Sequence, residues 1–146
     1  TIIRPSALYG PRCVSGRVLQ LFIENLISGK KIKVNGDGKE NLDFTYIDDF
    51  THGLHCVLKK KGANNQIFNL TYGKSRSILD AIKILKKYFK KMKIDYAPRD
   101  KLLPFRGTLS VNKAKRLIKY NPKFNLERGI NNYLNWYLNN KKIKEI

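Results

Sequence analysis

The spacing of apolar and polar residues changes several times along the chain, and each change predicts a new structural element. Ile2 and Ile3 open a β-branched apolar run that is typical of a buried strand. From Val14 the apolar residues recur with the period of a helix until Gly29, and Ser15 is a suitable N-cap. The chain is therefore expected to begin with a strand followed by an amphipathic helix.

The region 34–49 combines a turn, a strand and the start of a helix within a short stretch. Its Gly-Asp-Gly sequence at residues 36–38 favours a tight turn, because glycine readily takes positive backbone angles. Apolar and polar side chains then alternate over residues 42–46, which predicts a half-buried strand with Asp43 and Thr45 on its polar side.

Asp48 and Asp49 stand where the next helix is expected to begin. Short acidic side chains accept hydrogen bonds from the free amides of a helix start, so we expect them to cap that helix rather than transfer protons. The helix covers residues 50–58 and carries His52 and His55 one turn apart. A metal site would need further ligands at defined spacing, so ordinary surface or core histidines are the better interpretation.

The remainder of the chain continues the alternation of strands and helices. Ser75 or Ser77 can cap one helix, Ser110 precedes a short one, and Asn125 can cap the last. The predicted elements are a strand at 67–70, a helix from 78 to 89, a strand at 94–96, a loop at 97–108 with Arg99 and Arg106, and two final helices. Such alternation argues for an α/β fold. Residues 1–138 are predicted to form the folded unit, and the polar residues 139–146 are predicted to fray.

The composition shows a strong positive charge. The 146 residues include 30 Lys and Arg but 11 Asp and Glu, a formal net charge of +19, which suggests an anionic partner such as nucleic acid, a membrane surface or a phosphorylated molecule. The basic residues are spread through every segment and are not interleaved with aromatics, and the dense run at 86–93 lies on the solvent face of a helix. Nucleic acid is therefore the weaker interpretation of this charge.

Cysteine content and apolar runs limit the remaining function classes. Cys13 and Cys56 share no C-x-x-C grouping, so they indicate free thiols in a reducing compartment and no zinc site. No apolar run reaches the length of a membrane span, and the first residues do not resemble a secretory signal, so a cytoplasmic protein is expected. The only methionine is Met92, and the chain opens within a strand, so we expect a piece of a longer protein.

Four segments together carry a resemblance to a known family. They are R-P-S-A-L-Y-G-P-R at residues 4–12, V-N-G-D-G-K-E-N-L-D-F-T-Y-I-D-D at 34–49, I-F-N-L at 67–70 and R-G-T-L-S-V-N-K-A-K-R-L-I-K-Y-N-P at 106–122. In this order and spacing they resemble the C-terminal half of the NAD-dependent epimerase/dehydratase family, the extended short-chain dehydrogenases that act on nucleotide sugars. The resemblance implies the substrate-binding lobe and the last strands of a Rossmann-like parallel sheet.

The same resemblance implies that the N-terminal half, in cis or in trans, carries the dinucleotide site and the catalytic Tyr-x-x-x-Lys pair. This chain would contact NAD only through Pro5 and Ser6, would not catalyse the reaction alone, and could pair as a homodimer. The turn at residues 36–38 lacks the continuation of a phosphate-binding loop. Tyr137 and Lys141 do stand four residues apart, but they lie in the last helix and its tail, so we interpret that spacing as a coincidence.

For the substrate, the resemblance implies that a nucleotide-diphosphate sugar binds to this half. The backbone of the strand at Val34 would meet the nucleobase, and Arg17, Arg99 or Arg106 would bind the diphosphate, because a guanidinium pairs two phosphate oxygens at once. Leu42 stands where many members have an arginine on the pyrophosphate. Two alternatives remain: a basic nucleic-acid-binding module, or a non-catalytic partner of a full-length relative. The nucleobase, the sugar and the choice between epimerisation and dehydration stay open.

Overall fold

The computed structural model describes residues 1–102 and 104–141. These residues form short strands and five α-helices, with one 3₁₀ turn at Lys61–Ala63. In chain order they are β1 (Ile2–Arg4), β2 (Leu8–Tyr9), α1 (Val18–Ile27), β3 (Ile32–Asn35), β4 (Asn41–Leu42), β5 (Thr45–Tyr46), α2 (Ile47–Lys59), β6 (Ile67–Asn69), β7 (Arg76–Ser77), α3 (Ile78–Tyr88), β8 (Ile94–Ala97), α4 (Asn112–Ile118) and α5 (Leu126–Lys141).

The described strands pair two by two, and most pairs are parallel. Strand β1 pairs with β6, β2 with β5, and β3 with β8 in parallel, whereas β4 and β7 are antiparallel. The longest ladder joins β3 and β8, from Ile32 opposite Ile94 to Asn35 opposite Ala97. Parallel partners need long crossovers, and here helices supply them. The predicted α/β class is confirmed.

Two apolar clusters hold these elements together. The larger one packs α1, α3 and α5 around the strands β2 to β5, and its fully buried members include Ile23, Ile32, Leu85 and Ile130. The smaller one joins β6 and α4 to the 3₁₀ turn, and its members are Ala63, Phe68, Leu70, Val111, Ala114, Ile118 and Tyr120. Because the loop before α4 leaves the larger cluster and ends at the smaller one, it crosses the region between them.

Two predicted N-caps are confirmed, at α3 and α5, and the one predicted for α1 was wrong. Ser77 caps α3 in a capping box with Asp80, and Asn125 Oδ1 accepts the Arg128 amide at 2.9 Å at the start of α5. Helix α1, however, begins at Val18 with Arg17 at the N-cap position, so the predicted cap Ser15 was wrong. The Gln20 side chain instead turns back and accepts the Gly16 amide at 3.0 Å.

The predicted half-buried strand at residues 42–46 was also wrong. All five residues are buried, but Leu42 ends β4, Thr45 and Tyr46 form β5, and the two residues between belong to neither strand. The two strands pair with different partners. Asp43 is 0% exposed and Thr45 is 0% exposed. Buried polar groups need hydrogen bonds, and Thr45 Oγ1 donates to the Asp43 carbonyl at 3.2 Å and accepts the Tyr72 amide at 3.2 Å. The polar side chains of this stretch therefore face other parts of the protein, such as the backbone at Tyr72, and not solvent.

Asp49 does not cap helix α2, contrary to the prediction. The helix begins at Ile47 without a side-chain cap, and Asp49, 3% exposed, accepts the amides of Lys123 at 2.7 Å and Phe124 at 2.8 Å. Asp48 is exposed in the first turn, where a negative charge is favourable near the positive end of the helix dipole. Asp49 thus ties α2 to the segment that precedes α5.

The remaining observations concern the end of the last helix, membrane spans and metal ligands. Helix α5 includes residues 139–141, whereas residues 142–146 of the predicted tail lie outside the described residues, so the division at residue 138 stays a prediction. None of the described helices is long and apolar enough to cross a membrane. Within residues 1–102 and 104–141, no three His, Cys, Asp or Glu side chains group as a metal site would require. His52 Nε2 lies 3.5 Å from Cys56 Sγ.

Candidate functional site

A cavity of about 370 Å³ lies between the start of α1 and the strands β3 and β4; because most of the predicted substrate-binding residues line it, we call it the main cavity. Four of the five predicted substrate-binding residues line it, although they come from distant parts of the sequence: Arg17, Val34, Leu42 and Arg106. The start of α1 supplies Arg17, because the turn at Gly16, with φ +66°, directs the chain into the helix there. The long loop before α4 brings Arg106 to the same place.

The lining of the main cavity combines apolar walls with charged groups. Leu19, Phe22 and Phe44 form part of the apolar surface beside Val34 and Leu42. Its polar members are mostly basic or amide groups, with one carboxylate: Arg17, Asn25, Lys33, Asn35, Glu40 and Arg106. A cavity of this kind suits a ligand that has a ring to bury and a strongly negative group to neutralise.

Sequence reasoning missed several of these polar residues. Lys33 and Asn35 are exposed neighbours of buried residues in β3, so their period-2 pattern indicated only a solvent face. Their place on the cavity wall depends on the direction from which α1 approaches the strand. Glu40 lies in the connection between the turn and β4, where the sequence contains no signal for a pocket.

A second cavity, of about 270 Å³, adjoins the main one; we call it the second cavity. Pro5 and Ser6, the predicted cofactor contacts, line it directly after β1. The two cavities share four lining residues, which are Ala7, Leu8, Arg17 and Arg106. The structure therefore brings the predicted cofactor contacts next to the two arginines.

Ala7 holds an unusual backbone conformation where the two cavities meet. Its φ is +36°, a positive value that residues with a side chain rarely adopt, and its carbonyl accepts the Thr45 amide at 3.3 Å. Strained backbone of this kind is concentrated at binding sites, where the surrounding structure keeps it in place. The strain coincides here with the junction of the two cavities.

Among the described residues, those that could contact a dinucleotide cofactor lie at the second cavity. Ser6 offers a hydroxyl and Pro5 an apolar ring in the second cavity. Gly36 and Gly38 have φ of +79° and +75°, but they form the turn between strands β3 and β4 and do not open a helix. The described residues thus fit a peripheral contact with NAD and not its phosphate-binding loop.

Arg99 lies away from the main cavity lining. Its guanidinium carbon is 4.1 Å from the centroid of the Phe105 ring, and its Cβ packs against Gly36. A guanidinium over an aromatic face is attracted by the ring electrons, so this contact orients the loop. The substrate role of Arg99 stays a prediction.

Tyr137, the first member of the Tyr-x-x-x-Lys spacing, has a structural role. Its hydroxyl donates to Glu24 Oε1 at 2.6 Å and lies 3.4 Å from the Tyr133 hydroxyl. Burial, followed by the hydrogen bond to the Glu24 carboxylate, raises the pKa of Tyr137 above its ordinary value. A catalytic tyrosinate needs a lowered pKa, so the geometry supports the interpretation of this spacing as a coincidence.

Comparison with known proteins identifies relatives of this chain. The sequence profile of the NAD dependent epimerase/dehydratase family matches residues 1–71. A UDP-glucuronate 4-epimerase from Thermodesulfobacterium geofontis is 34% identical over 138 residues, which cover 93% of this chain and 42% of that protein. Several further relatives are likewise nucleotide-sugar epimerases, dehydratases or decarboxylases, and they give no support to the nucleic-acid-binding alternative.

Solved structures show the same similarity in three dimensions. The UDP-glucuronic acid 4-epimerase from Bacillus cereus, in complex with UDP-glucuronic acid and NAD, has a TM-score of 0.88 and 27% identity over 95% of this chain and 45% of that one. The UDP-glucose 4-epimerase from Thermotoga maritima, with UDP-glucose, has a TM-score of 0.86 and 26% identity over 95% and 46%.

The chain spans less than half the length of these relatives, and the Rossmann-like fold class expected from its sequence is confirmed. The recognition from four short segments is confirmed as well: the chain is related to the NAD-dependent epimerase/dehydratase family and resembles the C-terminal half of its members.

Proposed function

We propose that this chain is the substrate-binding lobe of an NAD-dependent nucleotide-sugar epimerase or dehydratase, and that the main cavity receives the nucleotide sugar. The observation that carries the proposal is the convergence of Arg17 and Arg106, 89 positions apart, at the junction of the two cavities. The ligands of the Bacillus cereus and Thermotoga maritima relatives, UDP-glucuronic acid and UDP-glucose, have the chemistry that such a cavity suits.

Different residues bind different parts of the ligand, according to their chemistry. Arg17 and Arg106 bind the diphosphate, because each guanidinium can pair two phosphate oxygens. Val34 and Leu42 form an apolar wall for the ring system, and the backbone of β3 meets the edge of the nucleobase. The volume of about 370 Å³ lies within the range of small-molecule sites.

The catalytic parts are assigned to an N-terminal half that joins this lobe in cis or in trans. NAD, when bound, accepts a hydride from the sugar and returns it. Pro5 and Ser6 would contact the cofactor at the edge of the second cavity, next to the two arginines. Epimerisation and dehydration both fit this arrangement, so the proposal includes isomerase and lyase activities in carbohydrate biosynthesis.

The proposal extends to the cellular location and the association of the intact protein. Cys13 and Cys56 are free thiols, which suits a reducing cytoplasmic location. Ile2, 57% exposed, and Ile67, 41% exposed, lie side by side on the sheet of β1 and β6. Exposed apolar strands favour association, either with the N-terminal half or within a homodimer.

Isothermal titration of the chain with UDP-glucose, UDP-glucuronic acid and dTDP-glucose tests the proposal. We expect at least one ligand to bind, and Arg17→Ala and Arg106→Ala each to weaken that binding by about tenfold or more, because a charge-assisted hydrogen bond contributes about 1.5–3 kcal/mol. Arg116→Ala is the matched control, since Arg116 is exposed on α4 and lines neither cavity. Equal affinities in all three variants, or a folded chain that binds none of the ligands, would refute it.

A further inference from the structure

We propose that Asp43 is a positioning residue whose buried carboxylate holds the segment after Arg106 against the main cavity and thereby sets the affinity for nucleotide sugar. This inference rests on the proposed function, because it concerns the same ligand and the same cavity. Asp43 itself does not line the main cavity. It acts through the residues to which it is hydrogen-bonded.

The Asp43 carboxylate accepts hydrogen bonds from three donors in two segments of the chain. Its Oδ2 atom accepts the Thr71 hydroxyl at 2.9 Å and the Leu109 amide at 3.1 Å, and its Oδ1 atom accepts the Gly73 amide at 3.0 Å. The side chain is 0% exposed, so these donors replace the water that a carboxylate would otherwise require. Removing one acceptor would leave at least one buried donor unsatisfied.

The position of Asp43 connects this cluster to the cavity wall. Its sequence neighbours Leu42 and Phe44 both line the main cavity. Leu109 follows Arg106 by three residues, a stretch that can span at most about 10 Å. Fixing the Leu109 amide therefore limits how far the backbone of Arg106 can move from the wall that Asp43 helps to build.

Two further contacts hold the residues on either side of Leu109. The Thr108 hydroxyl lies 2.7 Å from the Ser75 hydroxyl and accepts the Ser75 amide at 2.9 Å. The Ser110 carbonyl accepts the side-chain amide of Asn69 at 2.9 Å. We call residues 108–110 the anchored segment, because each of its three members holds a partner outside the loop.

Arg106 and Gly107 come directly before the anchored segment. Arg106 is exposed, and a Cβ atom built on Gly107 would meet nothing within 4 Å. The Arg106 guanidinium can reach the cavity in a defined way only if the chain is held on at least one side. The anchored segment provides this support, and Asp43 provides its most buried contact.

Asp49 offers a matched comparison, because its carboxylate has the same chemistry at a different place. It is 3% exposed and accepts two backbone amides, those of Lys123 and Phe124. It lines neither cavity. Asparagine at either position keeps the size of the side chain and loses an acceptor, so both variants should lower the stability of the fold, but only Asp43→Asn should act on the ligand.

The experiment compares Asp43→Asn, Asp49→Asn and Thr108→Val in the whole chain. Titration with the nucleotide sugar that the wild type binds best, with UDP-glucose tested first, gives the affinity, and thermal unfolding gives the stability. Hydrogen exchange of the amides in residues 105–110 reports on the anchored segment without any ligand. Thr108→Val removes the two contacts that an exposed hydroxyl makes with Ser75, so it remains folded even where Asp43→Asn loses the native state altogether.

We expect Asp43→Asn to weaken binding by about tenfold and Thr108→Val by a smaller factor of about three, with faster exchange at the Leu109 amide in both. Asp49→Asn should keep wild-type affinity even where its midpoint of thermal unfolding falls. The proposal is overturned if Asp43→Asn and Asp49→Asn lose stability but both keep their affinity. If Asp43→Asn does not fold, the proposal is overturned when Thr108→Val keeps both the wild-type affinity and the wild-type exchange rate of the Leu109 amide.

Failure of the proposed function would look different. If the folded wild type binds no nucleotide sugar, the proposed function and the effect on affinity both fall. The exchange of the Leu109 amide then still decides the anchoring itself: faster exchange in Asp43→Asn but not in Asp49→Asn supports the hydrogen-bond cluster as the support of the loop, and unchanged exchange refutes it.

Discussion

Helix α5 passes the ring of Tyr9 so closely that residue 129 has room only for glycine. A methyl group on Gly129 would overlap the Tyr9 hydroxyl and lie 2.8 Å from its Cζ atom. The ring is held in a crowded place, because Tyr9 is 2% exposed and its centroid lies 6.3, 5.5 and 6.5 Å from those of Phe44, Tyr46 and Tyr133. We therefore expect Gly129→Ala to destabilise the fold.

The magnitude follows from two opposing contributions. Alanine in place of glycine within a helix stabilises it by up to about 1 kcal/mol. Forcing an extra carbon into a packed core costs about 1–3 kcal/mol, and the rigid aromatic ring places this site at the upper end. The net loss is about 2 kcal/mol, which lowers the midpoint of thermal unfolding by about 4–8 °C in a chain of this size.

Thermal and urea unfolding, followed by circular dichroism, measure this loss. Gly107→Ala is the control, since its Cβ position meets nothing within 4 Å and its stability should stay close to that of the wild type. Adding Tyr9→Phe removes the overlapped hydroxyl, so the double variant should lose less stability than the sum of the single variants. Gly129→Ala as stable as Gly107→Ala would refute the reasoning.

Asp80→Asn removes a capping-box partner of α3 and an ion pair with Arg76, so urea unfolding at pH 7 should show a loss of about 1 kcal/mol. Burial disfavours the ionised form of Asp80, but hydrogen bonds from Arg76 and Ser77 lower its pKa overall. The Asp80 carboxylate therefore stabilises the fold above its ordinary pKa, and this stabilisation disappears as the pH falls through the lowered pKa. If the stability lost in Asp80→Asn does not shrink in acid, this assignment is contradicted. Leu42→Arg adds a third guanidinium to the main cavity and should tighten UDP-glucose binding by about tenfold, whereas Leu42→Met should not; unchanged affinity would count against placing the diphosphate there. The purified chain should show no NAD-dependent epimerisation or dehydration, and a product detected by chromatography would disprove the assignment of the catalytic residues to another half.

The sequence alone determined those features that depend on near neighbours in the chain. The apolar period of α3 and the Ser77 cap involve residues within a few positions of one another, as does the turn at residues 36–38. Four sequence segments were sufficient to recognise the family. Of the five substrate-binding residues that the resemblance implied, the fold brings four to one cavity: Arg17, Val34, Leu42 and Arg106.

The tertiary structure alone decided what the buried acidic residues do. In an alternating pattern, Asp43 has the same appearance as a residue that faces solvent, and Asp49 has the same appearance as a helix cap. Their actual donors, at Leu109 and Lys123, lie 66 and 74 positions further along the chain. A carboxylate can be buried only where such donors replace water, and no local pattern records which distant amides the fold will bring to it.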